Sequence, residues 1–461
     1  MTKINELIVY KYFEYGNIVN DIAWIMDQCE NFTDLVTFES EKFAQLPKSM
    51  FENRINIAKN ENEQYDKSEL TTLLYRCVNQ LIELAERYGF EGNVWHNYLA
   101  LLLANNENAY STACEIVGGV EGSINKIALN DFRVFKSLFE IDLTVIEQKL
   151  EVNCLSLLTN YKSTSSNGKV LNKRIRDRIC DLSVKLASSE DEFEFKTIMT
   201  IFYKDFGVGN LGLHKAFRIE HLENQIKIVP ITNIQHVHLD DLVGYELQKK
   251  KIIDNTEAFV TGKKANNCLL FGDAGTGKST SVKAILNEYY DQGLRMIEVY
   301  KHQFQDLSAI IAQIKNRNYK FIIFMDDLSF EEFEIEYKYL KAVIEGGLEK
   351  RPDNVLIYAT SNRRHLVREK FSDKEERRDD LHSSDTVQEK LSLASRFGVS
   401  IFFVAPDKKE YMNIVKILAQ KYNLTIPKEE LFLEANKWEL SHGGLSGRTA
   451  QQFIDYLLGK F

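Results

Sequence analysis

The sequence predicts an α/β protein in which a mostly α-helical N-terminal domain is followed by a five-stranded parallel sheet and a small C-terminal helical lid. Before residue 230 the only proline is Pro47, and apolar residues recur there at helical spacing. From about residue 226, compact apolar runs alternate with longer helical stretches, which is typical of parallel α/β domains. A length of 461 residues with 44% apolar and 27% charged residues indicates two or three folded domains.

The clearest predicted helix of the N-terminal region covers residues 70–85. Its apolar residues form a single stripe, which consists of Leu70, Leu73, Leu74, Cys77, Val78, Leu81 and Ala85. Gly89 follows at the position of a left-handed C-terminal cap. Because such stripes pack on neighbouring helices in a core, we predict no binding site in this region.

A stretch without apolar side chains at residues 162–169 predicts an exposed loop or a domain boundary. Shortly after it, four basic residues lie close together: Lys173, Arg174, Arg176 and Arg178. This cluster has two interpretations, a contact to phosphate or the solvated face of a helix, and the second is favoured.

Five short runs in the C-terminal half are β-branched or aromatic and apolar on both faces, which predicts parallel strands covered by helices. They are residues 268–271, 296–299, 321–325, 355–359 and 400–404, and a short alternating run at 225–231 precedes them. We therefore divide the chain into an N-terminal domain (1–161), a connecting segment with helices and a short strand (162–235), the sheet domain (236–405) and the lid (406–461).

The loop after the first predicted strand matches G-x-x-x-x-G-K-[ST] at every required position: Gly272, Asp273, Ala274, Gly275, Thr276, Gly277, Lys278, Ser279 and Thr280. Glycines let the backbone curl so that its N–H groups face phosphate oxygens, and the helix that begins at Lys278 adds its dipole. We predict that Lys278 contacts the β and γ phosphates of ATP and that Ser279 binds Mg²⁺. A chance match would lack the strand before this P-loop and the helix after it.

The third predicted strand ends in two carboxylates, Asp326 and Asp327, and resembles a Walker B motif. Asp326 would bind hydrated Mg²⁺, and Asp327 would orient or deprotonate the attacking water. Paired acids at a strand end are often only a helix cap or a solvated turn, but the P-loop 48 residues upstream favours catalysis. Walker B motifs usually have Glu at the second position, where this sequence has Asp. Glu331 and Glu332 therefore stay alternative candidates for the base.

Three more polar residues resemble the sensors and the arginine finger of AAA+ P-loop ATPases. Asn362 follows the fourth predicted strand and looks like the sensor 1 residue that positions the lytic water; the alternative is a capping Asn before a turn. Arg396 precedes the fifth strand, where AAA+ chains carry the arginine finger, although a lone Arg is usually a surface charge. The run 441–450 resembles the sensor 2 region, which implies that Arg448 reaches the nucleotide from the lid.

Several separate blocks are similar to an uncharacterised bacterial AAA+ family catalogued as domain of unknown function 815. They are residues 239–244, 255–256, 265–267, 326–330, 359–366 and 389–393, and the similarity extends over roughly residues 205–461. The resemblance implies an AAA+ type P-loop NTPase fold with ATP and Mg²⁺ as ligands. It implies no cellular role, and the chain before about residue 200 carries no motif that we can assign.

Composition limits the partners and the compartment. A net charge of −9 provides no overall field that attracts nucleic acid, so nucleic-acid binding is not indicated and would need a local basic patch. Residues 363–390 contain eight acidic and eight basic residues, which predicts an exposed loop at a subunit or client surface. The six cysteines form no C-x-x-C pair, and neither a secretion signal nor a membrane span is recognisable, so we expect a cytoplasmic protein without membrane contact.

These patterns together predict a Mg²⁺-dependent ATPase of the AAA+ class. By analogy with that class, hydrolysis is expected to drive the remodelling or loading of a macromolecular partner, which the N-terminal domain would select. The same analogy implies a homo-oligomer in which Arg396 completes the site of a neighbouring subunit. Two alternatives stay open: a nucleotide-controlled assembly module with slow turnover, and a P-loop phosphotransferase.

Overall fold

The chain divides into two compact units, Met1–Leu213 and His214–Phe461. The computed structural model describes residues 4–43, 67–119, 121–164, 173–222, 225–330, 334–345, 352–362, 366 and 393–460. None of the helices in these ranges combines the length and the apolar character needed to cross a membrane. The proposed division of the chain into four segments stays a prediction.

The N-terminal unit is mostly helical, as predicted. Its helices are α1 Gly16–Phe43, α2 Lys67–Tyr88, α3 Val94–Asn105, α4 Ala109–Val117, α5 Ser123–Phe139, α6 Thr144–Leu150, α7 Lys173–Ala187, α8 Glu192–Phe206 and α9 Gly209–Leu213. A two-residue strand, β1 Glu91–Gly92, pairs antiparallel with β2 Tyr161–Lys162. Ten of the twelve residues of α3 are buried, so this helix forms the centre of the core.

The predicted amphipathic helix corresponds to α2. All members of its stripe are buried except Leu73, which is partly exposed. Gly89 has a φ of +69°, and Phe90 N donates to Ala85 O at 2.9 Å, so the predicted left-handed C-terminal cap is confirmed. The stripe packs into the core of the N-terminal unit.

The basic cluster lies on α7, which buries Ile175, Ile179 and Leu182 on its opposite side. Lys173 and Arg174 are exposed, and the Arg178 guanidinium lies 4.5 Å from the ring centre of Phe206. This arrangement agrees with the solvated-face interpretation. Residues 165–169 of the predicted loop lie outside the described residues.

The C-terminal unit contains a mostly parallel sheet covered by helices. Its elements are β3 Ala216–Leu222, β4 Gln225–Pro230, α10 Glu246–Val260, β5 Cys268–Gly272, α11 Lys278–Tyr289, β6 Leu294–Glu298, α12 Leu307–Ile314, β7 Lys320–Met325, α13 Glu336–Glu345, β8 Val355–Ser361, β9 Val399–Phe403, α14 Lys408–Lys421, α15 Lys428–Ser441 and α16 Gly447–Lys460. The strand order is β4-β3-β6-β7-β8-β5-β9. Only β4 runs antiparallel to its neighbour.

The predicted number of five strands was wrong, because the sheet has seven. The predicted five correspond to β5 to β9, and the antiparallel pair β3–β4 extends the sheet beside β6. Exposed Arg218 and partly exposed Glu220 interrupt the apolar residues of β3, so its sequence lacks the continuous run of a central strand. The alternation of Phe217 and Ile219 with these polar residues is the signal of a half-exposed strand, and it was missed.

The sheet order brings the ends of β5, β7 and β8 to one edge. β5 lies between β8 and β9, and β7 pairs with β8 so that Met325 is opposite Ala359. Residues that follow parallel strands share the carboxyl edge, where ligands of such sheets bind. Helices α14, α15 and α16 form a separate small core around Tyr411, Val415 and Phe453.

Candidate functional site

The P-loop between β5 and α11 turns so tightly that both of its ends require glycine. Gly272 has a φ of +133°, and a Cβ there would lie 2.0 Å from the carbonyl oxygen of Phe403 on β9. Gly277 has a φ of +91°, and a Cβ there would lie 2.6 Å from Cδ2 of Leu242. The loop then enters α11 directly, so backbone N–H groups and the helix dipole converge on one space.

Lys278 is the residue at which the loop enters α11, and it is only 6% exposed. Its Nζ donates to the carbonyl oxygens of Gly272 at 3.0 Å and Asp273 at 2.6 Å, and to Oδ1 of Asn362 at 3.0 Å. These acceptors satisfy the three donors of an ammonium group. Burial lowers the pKa of Lys278, since the charged form loses its water, while the carboxylate of Asp273 opposes this shift.

Asp326 and Ser279 lie side by side at the carboxyl edge of the sheet. Ser279 Oγ donates to Asp326 Oδ1 at 2.5 Å, and the hydroxyl of Thr360 donates to the same oxygen at 2.6 Å. The P-loop hydroxyl and the first acid therefore meet although 47 positions separate them in the sequence.

Asp327 has an unusual backbone conformation, with a φ of +49°. Its N–H donates to Oγ1 of Thr360 at 3.0 Å, and its Oδ1 accepts from Nδ2 of Asn362 at 2.8 Å. Asp tolerates the left-handed region better than most residues because its short polar side chain can bond locally. The turn after β7 therefore directs Asp327 towards Asn362, the residue that also accepts from Lys278.

The donor set fits Mg²⁺. Mg²⁺ prefers oxygen ligands and usually binds one or two protein groups together with waters and substrate phosphates. Ser279 and Asp326 supply a hydroxyl and a carboxylate oxygen in direct contact, beside the phosphate-binding loop. Within the described ranges there is no group of three or more His, Cys, Asp or Glu side chains that could hold a metal.

The start of α16 packs directly on the P-loop. Arg448 N donates to Gly275 O at 3.1 Å, and a Cβ on Gly275 would lie 2.8 Å from Ser446 Oγ. Ser446 Oγ also accepts from Thr449 N at 3.0 Å, which caps the helix. The lid thus holds Arg448 beside the loop.

A cavity of about 810 Å³ opens between the P-loop, the carboxyl edge of the sheet and the lid. Ten of the predicted site residues line it: Gly275, Thr276, Gly277, Lys278, Ser279, Thr280, Asp326, Asp327, Asn362 and Arg448. The other three predicted residues of the loop, Gly272, Asp273 and Ala274, do not line the cavity. A space of this size suits a ligand as large as a nucleotide.

Arg396 is not among the residues that line this cavity. Its guanidinium is in contact with the carboxylate of Glu345 at the end of α13.

The alternative bases Glu331 and Glu332 lie outside the described residues, as do all residues of the charged stretch 363–390 except Leu366.

The sequence did not identify two groups of cavity residues. One is Thr360, whose hydroxyl contacts both acids. The other lines the end of the cavity beside the lid and comprises Gln235, His236, Val237, Asp241, Leu242, Ile414, Leu418, Lys421 and Tyr422. Asp241 and Leu242 lie in the family-like block 239–244, but that block carries no known ligand role. Contacts such as that between Lys421 on α14 and Asp241 bring these residues together across 180 positions.

The comparison with family models confirms the predicted family resemblance. Residues 212–461 match the family model described as "Protein of unknown function (DUF815)". A solved single-residue mutant of Thermotoga maritima RuvB is 19% identical, with 49% of this chain and 66% of that chain covered and a TM-score of 0.35. The Thermotoga maritima RuvB Holliday junction branch migration motor is 16% identical, with 48% and 72% covered and a TM-score of 0.30. No curated protein matches the chain.

Proposed function

Because this chain belongs to the family described as Protein of unknown function (DUF815), its activity must be inferred from its site, and we propose that it is an ATP-binding, Mg²⁺-dependent ATPase of the AAA+ type. The observation that carries this proposal is a single hydrogen-bonded constellation. Hydrogen bonds of 2.8–3.0 Å link Lys278 to Asn362 and Asn362 to Asp327, and one of 2.5 Å links Ser279 to Asp326. The hydroxyl of Thr360 joins these two sets, and all six residues line one cavity.

Each part of the cavity matches one part of ATP. The P-loop N–H groups and Lys278 would bind the triphosphate, and Arg448 would add a positive charge from the lid. Leu242, Ile414 and Leu418 offer apolar surface for a base at the other end, where Gln235 and His236 add polar groups. Apolar side chains for contact, together with a few polar groups that fix orientation, are typical of a site that holds a flat base.

Hydrolysis requires that water attack the γ-phosphorus while the bond to the β-phosphate oxygen breaks. Asp327 would accept a hydrogen bond or a proton from that water, and Asn362 would orient it. Mg²⁺ bound at Ser279 and Asp326 supplies charge stabilisation on the phosphates. ADP and phosphate leave, and no protein group is covalently modified.

Arg396 contributes to the proposal in a different way. Since it does not line the cavity of its own chain, we propose that it completes the cavity of a second copy in a homo-oligomer.

We further propose that hydrolysis rearranges a macromolecular partner selected through the N-terminal unit. This last step rests on analogy with the fold class alone.

The test is a pair of assays on purified protein. Binding is measured by titration with a fluorescent ATP analogue, and turnover by release of phosphate and ADP with Mg²⁺ present. We expect stoichiometric ADP and phosphate without a phosphorylated acceptor. Binding without turnover would favour a nucleotide-controlled assembly module, a phosphorylated acceptor would favour a phosphotransferase, and absence of binding would refute the proposal. Affinity capture with the Asp327→Asn variant then identifies the partner.

A further inference from the structure

We propose that Thr360 is the positioning residue for both acids of the site, so that one buried hydroxyl orients the Mg²⁺ ligand and the candidate base together. This inference rests on the proposed ATPase function and extends it to a residue that no motif assigns. Thr360 lies in β8, next to the strand that carries the acids, and is 2% exposed.

The contacts of Thr360 reach three consecutive residues of the neighbouring chain segment. Its Oγ1 donates to Asp326 Oδ1 at 2.6 Å and accepts from Asp327 N at 3.0 Å. Its carbonyl oxygen accepts from Leu328 N at 2.7 Å. A hydroxyl has one donor and two acceptor positions, so the donor is committed to one acid and an acceptor position to the backbone of the other.

The first consequence concerns Asp326. Its Oδ1 accepts from both Ser279 and Thr360, so two hydroxyls fix the position of this oxygen. Because Ser279 is the other predicted Mg²⁺ ligand, the bond from Thr360 helps to hold Asp326 beside it. Residues that orient a metal ligand without touching the metal typically change metal affinity or activity 10- to 100-fold when mutated.

The second consequence concerns Asp327. Its φ of +49° is unfavourable for a residue with a Cβ, and the bond from its N–H to Thr360 helps to hold it there. In this conformation the side chain reaches Asn362. An extended backbone at this position would direct the side chain elsewhere, and Asp tolerates the left-handed region better than most residues do.

The test compares Thr360→Val, which keeps the shape and removes the hydroxyl, with Thr360→Ser, which keeps the hydroxyl. Thr256→Val is the matched control, because Thr256 is also buried and its Oγ1 bonds to Tyr358 of the same strand at 2.8 Å, away from the acids. The readouts are the Mg²⁺ concentration at half-maximal binding of a fluorescent ATP analogue, the ATP turnover rate and the melting temperature.

We expect Thr360→Val to need about 10- to 100-fold more Mg²⁺ for nucleotide binding and to lose turnover by a similar factor. Thr360→Ser should restore both, and Thr256→Val should lower only the melting temperature. If Thr360→Val does not fold, Thr360→Ala replaces it. Unchanged Mg²⁺ dependence in a folded variant, beside a wild type that binds and hydrolyses ATP, would overturn the role of Thr360 alone. A wild type that binds no ATP would overturn the ATPase function and this role together.

Discussion

Asn362 joins Asp327, the proposed base, to Lys278, the lysine proposed to bind phosphate, since its Nδ2 donates to Asp327 Oδ1 at 2.8 Å while its Oδ1 accepts from Lys278 Nζ at 3.0 Å. An ammonium only donates and a carboxylate oxygen accepts, so these two neighbours determine the orientation of the amide. A γ-phosphate that approached Lys278 would compete with Asn362 for one donor. If phosphate binds Lys278 as proposed, the amide would couple the presence of phosphate to the position of Asp327.

The first prediction concerns this amide. Asn362→Ala should slow ATP turnover by about 10²-fold, the usual effect of removing one donor that stabilises or orients the reacting groups. ATP affinity should change little, because Lys278 keeps its contacts with the P-loop. Single-turnover kinetics and a binding titration separate the two effects. Normal turnover would show that Asn362 is only a capping residue.

The second prediction separates the two acids. Asp327→Asn should bind ATP normally and turn over about 10² to 10⁴ times more slowly, because it loses the group that accepts from water. Asp326→Ala should instead lose the Mg²⁺ dependence of binding, since it removes an oxygen next to Ser279. Both are measured by titration with and without Mg²⁺. Identical phenotypes would contradict these separate roles, and normal turnover in Asp327→Asn would direct attention to Glu331 and Glu332.

The third prediction concerns Lys278. Lys278→Ala should weaken ATP binding by about 1.5–3 kcal/mol, the usual worth of hydrogen bonds to a charged group. Lys250→Ala is the control, because Lys250 is an exposed lysine on α10. A fluorescent ATP analogue reports the affinity and thermal unfolding reports the fold. If the two folded variants bind the ATP analogue with equal affinity, Lys278 does not contribute to ATP binding.

The sequence predicted the parts of the site that are close together along the chain, and it did not predict contacts between residues that are far apart along it. The P-loop is contiguous, and the two acids follow an apolar strand, so local patterns were enough to propose them. The role of Thr360 depends on the register that sets Met325 opposite Ala359, which no local pattern reveals. In the same way, β3 was missed because it is half-exposed, although it lies between β4 and β6, and so it lacks the continuous apolar run of a strand covered on both faces.

The fourth prediction concerns a contact between the lid and the segment before α10. Lys421 at the end of α14 is paired with Asp241, which precedes it by 180 positions, and both residues line the cavity. The carboxylate is fixed by a second bond, in which His238 N donates to Asp241 Oδ2 at 2.8 Å. That backbone bond, followed by the bond to Lys421, lowers the pKa of Asp241. The pair therefore joins α14 to the segment before α10 beside the cavity.

Lys421→Ala should release a bound ATP analogue faster, by up to about 5-fold, because a partly exposed ion pair contributes at most about 1 kcal/mol. Higher salt should speed release from the wild type and have less effect on the variant. Lys416→Ala, an exposed lysine on the same helix, is the control. Stopped-flow measurement of release tests this, and a wild-type rate for Lys421→Ala at low salt would contradict it.

The last prediction is that Arg396 acts on a neighbouring copy. Arg396→Ala should bind ATP almost normally and hydrolyse it about 10³-fold more slowly, the scale of effect of a lost arginine finger. Glu345→Gln is the matched control, because it disturbs the contact between Arg396 and Glu345 without removing the guanidinium. If Arg396 served only that pair, both variants would behave alike. The turnover rate per wild-type chain should also rise with protein concentration, since the complete site forms only between copies.

Mixing two inactive variants tests the shared site directly. Lys278→Ala lacks a working P-loop and Arg396→Ala lacks the arginine, so a contact between them in one orientation pairs an intact loop with an intact guanidinium. Activity that returns on mixing, while each variant alone stays inactive, can arise only if the arginine completes the site of another chain. No activity from variants shown to co-assemble, together with wild-type turnover that does not depend on concentration, would assign Arg396 to its own surface and its pair with Glu345.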